Sequence, residues 1–231
     1  MDFSGWEKLS LVDYDDNLTT TLFMAGCPFR CPFCHNGDLV LRPQDAPTIP
    51  WEEIYEYLVR RKTMLTAVCI SGGEPTLMPD LEEKIRLIKE LGYKVKLDSN
   101  GWKPEILEKL LHNRLVDFIA MDIKNAKDKY NITCGTSVDI DAISKSVNLI
   151  MNAGIDYEFR TTIIQEFHTE EDIRKIGEWI KGAKKYRLQH YVDSPYCIQR
   201  GLHPVTIEKA LQFVEALRPY IDNVDLRGYE D

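Results

Sequence analysis

The strongest constraint on this chain is a regular exchange between two hydrophobic periods. Short apolar, β-branched runs at residues 19–25, 66–71, 93–98, 116–121, 157–164 and 186–190 read as strands, with a last short one at 224–227. Between them, helical spacing predicts helices over 51–61, 80–91, 104–112, 139–152, 170–181 and 206–220. Ile54, Tyr57 and Leu58 share one helical face, as do Leu81, Ile85 and Ile88. Gly92 stops its helix, Pro104 suits a first turn, and Thr169 or a residue just before it supplies an N-cap. Strand and helix thus alternate six times with no linker or repeat, which means βα units and a parallel sheet. Two architectures remain open: a doubly wound sheet, and a full or partial (βα) barrel. Both place their chemistry beyond the carboxyl ends of the strands.

The length of 231 residues favours a single domain, and 44% hydrophobic with 29% charged residues is ordinary for a soluble globular chain. No apolar run is long enough for a membrane span, and the first eight residues do not resemble a signal peptide, so a cytoplasmic protein is expected. The net charge of −8 argues against nucleic acid and anionic membrane surfaces as partners. The basic group Lys181, Lys184, Lys185 and Arg187 reads as a solvated helix end.

Polar residues gather at the strand ends. The first strand leads into a cysteine loop, the second into Ser71-Gly72-Gly73-Glu74-Pro75 and the third into Asp98-Ser99-Asn100-Gly101. Met121-Asp122-Ile123-Lys124 follows in the fourth, Arg160 and Thr161 lie at the fifth, and Gln189 and His190 at the sixth. A βα fold gathers such ends on one face.

The cysteine loop, Cys27-Pro28-Phe29-Arg30-Cys31-Pro32-Phe33-Cys34-His35-Asn36, is the sharpest chemical signal. Three thiols this close can serve one soft metal centre. Zinc would need a fourth ligand, and His35 follows Cys34 too directly to chelate the same ion easily. Cys31-Pro32-Phe33-Cys34-His35 matches a haem attachment motif, and Cys31 with Cys34 matches a redox pair, but both leave Cys27 unexplained. An iron–sulfur cluster held by three cysteines would leave one iron open to a small molecule, unlike a four-cysteine electron carrier. Structural packing of three apolar thiols is the remaining alternative.

The Cys27-x3-Cys31-x2-Cys34 spacing, with Phe33 before the last cysteine, and the Gly72-Gly73-Glu74-Pro75 segment resemble the radical S-adenosylmethionine superfamily. That resemblance implies a partial (βα)6 TIM barrel over the whole chain, with the barrel core at about 18–192 and a C-terminal extension at about 193–231. Cys34-His35-Asn36, Asp98 to Gly101 and Asp122 to Lys124 are similar to glycyl-radical-enzyme activases. The opening Gly5 to Tyr14 and the ending from Leu202 onward resemble the activating proteins of anaerobic ribonucleoside-triphosphate reductase. The usual Asp-Tyr-Pro-Gly of that opening is here Asp13-Tyr14-Asp15-Asp16.

The resemblance implies one 4Fe-4S cluster on Cys27, Cys31 and Cys34, S-adenosylmethionine as cofactor, and no catalytic residue beyond cluster and cofactor. It implies cofactor contacts from Phe33, Asn36, Gly72, Gly73, Glu74, Asp98, Ser99, Asp122, Lys124, Arg160 and His190. Gly72 and Gly73 would let backbone approach the methionine moiety, Glu74 would accept from its ammonium, and Lys124 would pair its carboxylate. Asp98 and Asp122 would also suit a monovalent cation. The implied partners are a glycyl radical enzyme and a flavodoxin- or ferredoxin-type electron donor. Cys69 reads as a buried small hydrophobe, and Cys134 and Cys197 as loop residues without function. Three other readings stay open: an activase of another glycyl radical enzyme such as pyruvate formate-lyase, a small-molecule radical enzyme of the carboxy-deazaguanine synthase type, and a zinc or electron-carrier module without catalysis.

Overall fold

The structure is a computed structural model that describes residues 2–229. Its strands are β1 (Gly5–Ser10), β2 (Thr19–Met24), β3 (Ala67–Gly72), β4 (Lys94–Ser99), β5 (Phe118–Asp122), β6 (Asp156–Ile163), β7 (Tyr186–His190) and β8 (Val224–Arg227). They lie side by side in chain order in one eight-stranded sheet. β1 runs antiparallel to β2, and every later pairing is parallel. The principal crossover helices are α2 (Trp51–Arg61), α3 (Leu81–Glu90), α4 (Pro104–His112), α6 (Ile140–Met151), α7 (Glu170–Trp179) and α8 (Ile207–Leu217). Two short helices, α1 (Gly37–Leu41) and α5 (Tyr130–Cys134), belong to the loops above the sheet. β2 to β7 thus form the six parallel strands of a partial TIM barrel, in line with the sequence reading.

Strand parity decides what each side chain meets. Leu22, Val68, Ile70, Val95, Leu97, Ile119, Phe159 and Leu188 are fully buried and alternate with lumen positions. They form one core with the inward faces of the helices: Ile54 and Leu58 of α2, Leu81, Ile85 and Ile88 of α3, Ile143, Val147 and Ile150 of α6, and Phe213 and Leu217 of α8. Each such side chain contributes about 1.5–3 kcal/mol on burial. The alternate residues are largely polar and stay in register from strand to strand: Thr21 beside Cys69, Cys69 beside Lys96, Asp122 beside Arg160, and Arg160 beside Arg187. The lumen is therefore lined by charge, which the strand pattern Lys-Val-Lys-Leu-Asp at 94–98 already carries.

Helix starts follow local chemistry. Asp139 accepts from the amides of Asp141 and Ala142 ahead of α6, and Thr169 with Asp172 forms a capping box on α7.

The sequence reading omits β1. Its residues, Gly-Trp-Glu-Lys-Leu-Ser, form an edge strand with little burial and therefore little apolar alternation. Among the described residues no ladder joins β8 back to β1. The loop after β1 bridges that gap. Arg227 Nη2 donates to the Val12 carbonyl at 2.7 Å, Arg187 and Lys185 pair with Asp15, and Lys96 Nζ donates to the Asp13 carbonyl. Lys185 and Arg187 are thus strand-end anchors, not part of a solvated helix end. Asp16, standing where the resembling pattern has glycine, has φ +60°, a region that Asp tolerates better than most residues.

Candidate functional site

The three thiols enter the site from one loop between β2 and α1. Arg30 N donates to Cys134 O at 2.8 Å on one side of this loop. On the other side Gly37 N, Ile198 N and Gln199 N form hydrogen bonds with Tyr196 O, Cys34 O and Pro32 O. The segment after β7 therefore covers the loop before the chain returns to the sheet as β8.

The glycine pair fastens the loop from beneath. Gly73 N donates to Met24 O and Glu74 N to Gly26 O, both at 2.8 Å. A Cβ on Gly73 would lie 2.0 Å from Gly26 O, and one on Gly72, with φ +113°, would lie 2.3 Å from Met24 N. These positions need glycine so that two strand ends can touch. Gly72 and Gly73 also line the cavity that the loop overhangs.

That cavity, ≈ 240 Å³, brings together Cys27, Cys31, Cys34, Phe33 and Asn36 with Gly72, Gly73, Asp98, Ser99, Asp122, Lys124 and Arg160. Phe29, His35, Ser71, Asn100, Thr162 and Gln189 complete the lining. Phe33 is buried, its ring 6.0 Å from that of Phe167, and Asn36 Nδ2 donates to Gly72 O at 2.7 Å.

Two expected contacts lie outside the lining. Glu74 is buried, and its carboxylate is consumed by Thr76 N and Oγ1, Ser99 Oγ at 3.0 Å and Asn100 N at 2.7 Å. It braces the turns after β3 and β4, so in this structure it does not face an ammonium in the cavity. His190 packs its ring edge-on against Tyr229, 4.7 Å between centroids. The lumen position on that strand is Gln189, one residue earlier, which the sequence reading placed at the strand end without a role.

The cavity floor is an ion network. Arg160 Nε donates to Asp122 Oδ1 at 2.9 Å and Nη1 to Asp98 Oδ2 at 3.3 Å. Lys124 Nζ donates to Asp122 Oδ2 at 2.9 Å, and Ser71 Oγ to Asp98 Oδ2 at 3.0 Å. Lys96 Nζ stands 3.2 Å from Asp98 Oδ1, a charge contact without aligned hydrogen-bond geometry. Burial alone would raise the Asp122 carboxyl, but the Arg160 and Lys124 charges override it and hold it down to about 2. Burial would lower Lys124, and Asp122 and Cys31 instead hold it above its ordinary range. Each carboxylate oxygen already faces a protein cation, so Asp98 and Asp122 do not fit a monovalent-cation site here. Of the charged residues that line the cavity, Lys124 and Arg160 balance Asp98 and Asp122, and Lys96 reaches Asp98 from outside the lining.

The thiols fit a cluster on donor chemistry. Burial pushes Cys27 up to about 12 and raises Cys34, so both hold protons until a metal displaces them. Cys27 Sγ accepts from Phe29 N at 3.4 Å and Asn100 Nδ2 at 3.6 Å. Among the described residues no three His, Cys, Asp or Glu side chains converge as a single ion would require. Three thiolates can each serve a different iron of a cubane, whereas mononuclear zinc would need a fourth ligand on the same ion. Cys134 is not a loop residue. It is fully buried at the end of α5, a helix too short to show periodicity, and Cys197 is also buried.

Comparison with known proteins agrees with this geometry. Over 97% of its length the chain is 34% identical to a Methanocaldococcus jannaschii protein described as a glycyl-radical enzyme activating enzyme, spanning 95% of that protein. It is 28% identical to the pyruvate formate-lyase-activating enzyme of Clostridium pasteurianum over 77% of this chain and 75% of the relative. It is 36% identical to a Saccharolobus solfataricus protein described as a GTP 3′,8-cyclase over 92% of this chain and 77% of that one. In fold it superposes on Streptococcus suis SuiB with a TM-score of 0.70 at 17% identity, covering 90% of this chain and 48% of SuiB. The sequence model described as Radical SAM superfamily matches residues 21–180. The chain is thus an enzyme with a 4Fe-4S cluster and S-adenosylmethionine implied as its cofactors, the non-catalytic module gives way, and the protein belongs to the Radical SAM superfamily.

Proposed function

We propose that this enzyme abstracts a hydrogen atom from a glycine of a partner glycyl radical enzyme, and that the partner is an anaerobic ribonucleoside-triphosphate reductase. The observation that carries the activase reading is one cavity where three thiols, an aromatic wall and an ion-paired floor meet at the carboxyl ends of the strands. The nearly full-length likeness to a protein described as a glycyl-radical enzyme activating enzyme supports it. The choice of the reductase draws on the opening and closing segments, whereas the pyruvate formate-lyase relatives favour that lyase as the alternative partner.

In this reading residues 1–231 act as one domain with 18–192 as the barrel core. Cys27, Cys31 and Cys34 hold the cluster, and a flavodoxin- or ferredoxin-type protein supplies the electron. When bound, the cluster and S-adenosylmethionine supply reductive cleavage of a sulfonium bond to methionine and a 5′-deoxyadenosyl radical. The chain's own residues bind and orient. Lys124 and Arg160 attract the cofactor carboxylate, and Phe33 offers a flat apolar face to the adenine. Phe29 and Phe33, both buried, keep water from the reacting centre.

The test is anaerobic reconstitution with iron and sulfide, then addition of S-adenosylmethionine, reductant and each partner. A glycyl radical seen by electron paramagnetic resonance on the reductase is expected. Cofactor cleavage with no radical on any partner would refute the activase reading, and a radical on the lyase alone would reassign the partner. The GTP 3′,8-cyclase relative favours a second reading, a small-molecule radical enzyme such as the carboxy-deazaguanine synthase type, which product analysis separates.

A further inference from the structure

Asn100 directly follows β4, is buried, and lines the cavity. Three hydrogen bonds fix it. Its backbone N donates to Glu74 Oε2 at 2.7 Å, its Oδ1 accepts from Trp102 N at 3.1 Å, and its Nδ2 donates to Cys27 Sγ at 3.6 Å. The Trp102 contact sets the direction of the amide, because only its oxygen can accept from an N–H. The nitrogen is thereby turned toward the sulfur. Glu74 holds both partners of that contact. Its carboxylate accepts from Asn100 N and Ser99 Oγ, and its own N donates at 2.8 Å to Gly26 O, one residue before Cys27. Ser146 Oγ donates to Gly101 O at 2.6 Å, and Trp102 Nε1 to Thr76 Oγ1 at 3.1 Å, so the turn that carries Asn100 is pinned on two sides.

We infer that Asn100 is a positioning residue for the cluster, donating an N–H···S hydrogen bond to the Cys27 thiolate and thereby raising the cluster's reduction potential. This rests on the proposed ligation of the cluster by Cys27. A side-chain amide carries two N–H donors that do not titrate near neutral pH, and a metal-bound thiolate is an acceptor. Reduction adds negative charge to the cluster and its sulfurs. A donor aimed at one of those sulfurs stabilises the reduced form more than the oxidised one. Phe29 N also donates to Cys27 Sγ, at 3.4 Å, but any residue at that position would supply the same backbone group. Asn100 is the donor whose presence depends on the side chain.

The experiment compares wild type, Asn100→Ser and Asn100→Ala, each reconstituted anaerobically and titrated by spectroelectrochemistry. Serine keeps an oxygen able to accept from Trp102 N but is too short to reach the sulfur, so it removes the donor and spares the turn. Alanine removes both. The ratio of reduced to oxidised cluster at a given applied potential should fall about fivefold in each variant, a midpoint lower by about 40 mV at 59 mV per tenfold. A serine midpoint equal to or above that of wild type overturns the inference, even where alanine shifts, because the turn and not the donor would then set the potential. If neither variant loads iron, pulsed electron paramagnetic resonance of reduced wild type labelled with 15N in the asparagine side-chain amide reads the same contact. A 15N hyperfine coupling to the cluster spin is then expected, and its absence overturns the inference. Iron content and cofactor cleavage of the unaltered chain test the cluster itself: their failure removes both readings, whereas an unmoved potential in fully loaded protein removes only this one.

Discussion

Replacing Gly73 by alanine tests whether the glycine pair exists to fasten the cysteine loop. The added methyl would lie 2.0 Å from Gly26 O and 2.7 Å from Gly26 C, both backbone atoms that no side-chain rotation can clear. Relief needs the Gly26 peptide to move on the order of 1 Å or more, given ordinary contact distances. Overpacking of this kind costs about 1–3 kcal/mol. The same movement strains the Glu74 N to Gly26 O hydrogen bond, worth about 1 kcal/mol. A combined loss of about 2–4 kcal/mol leaves a domain with a typical 5–15 kcal/mol folded. Gly26 directly precedes Cys27, so the displacement falls on a proposed ligand. Gly92→Ala is the control. Its φ of +92° also strains an alanine, at about 1–2 kcal/mol, but nothing lies within 4 Å of the new methyl. Urea unfolding of the metal-free chains gives the stability, and iron per chain after anaerobic reconstitution gives the loading. Gly73→Ala should lose both, and Gly92→Ala only stability. Full iron loading and wild-type stability in Gly73→Ala would refute the reasoning.

Three further outcomes are expected. Arg160→Leu strips the shared guanidinium from Asp98 and Asp122, and one-sided loss of a buried ion network costs about 3–5 kcal/mol, measurable by urea unfolding; a loss below about 1 kcal/mol would show that Lys96 and Lys124 suffice. The Asp122 carboxyl is depressed from 3.8 to about 2, so its stabilisation of about 2 kcal/mol is complete above pH 4 and disappears as pH falls through about 2; Asp122→Asn should flatten that part of the acid-unfolding curve. Gln189→Ala should weaken S-adenosylmethionine binding by isothermal titration of the reconstituted enzyme while His190→Ala leaves it unchanged, because only Gln189 faces the cavity; the reverse order would mean that the strand's parity is misassigned.

The sequence made the alternating fold legible because each βα unit writes its own period into ten or so residues. The cysteine loop was legible for the same reason: its thiols are neighbours in the chain. What failed was direction. Glu74 follows the glycine pair and carries the right chemistry, yet its turn aims it at Ser99 and Asn100, contacts set by β4, which the local sequence does not encode. Gln189 and His190 differ by one step of strand parity, and their faces are fixed only by pairing with β6 and β8. Asp98 and Asp122 carry the oxygens a cation would use, but Arg160, distant in sequence, arrives between them from β6. The burial of Cys134 gave no signal because a five-residue helix is too short for a pattern and its carbonyl meets Arg30 N from another loop.

The covering segment after β7 is joined to the cysteine loop through peptide groups, at Gly37, Ile198 and Gln199. Val192 and Tyr196, 57% and 66% exposed, lend no side chain to those links. The covering segment therefore separates two duties: its main chain holds the cysteine loop, and these outward side chains take no part in holding it. Substitutions at Val192 and Tyr196 can accumulate while the backbone anchorage of the thiols remains untouched.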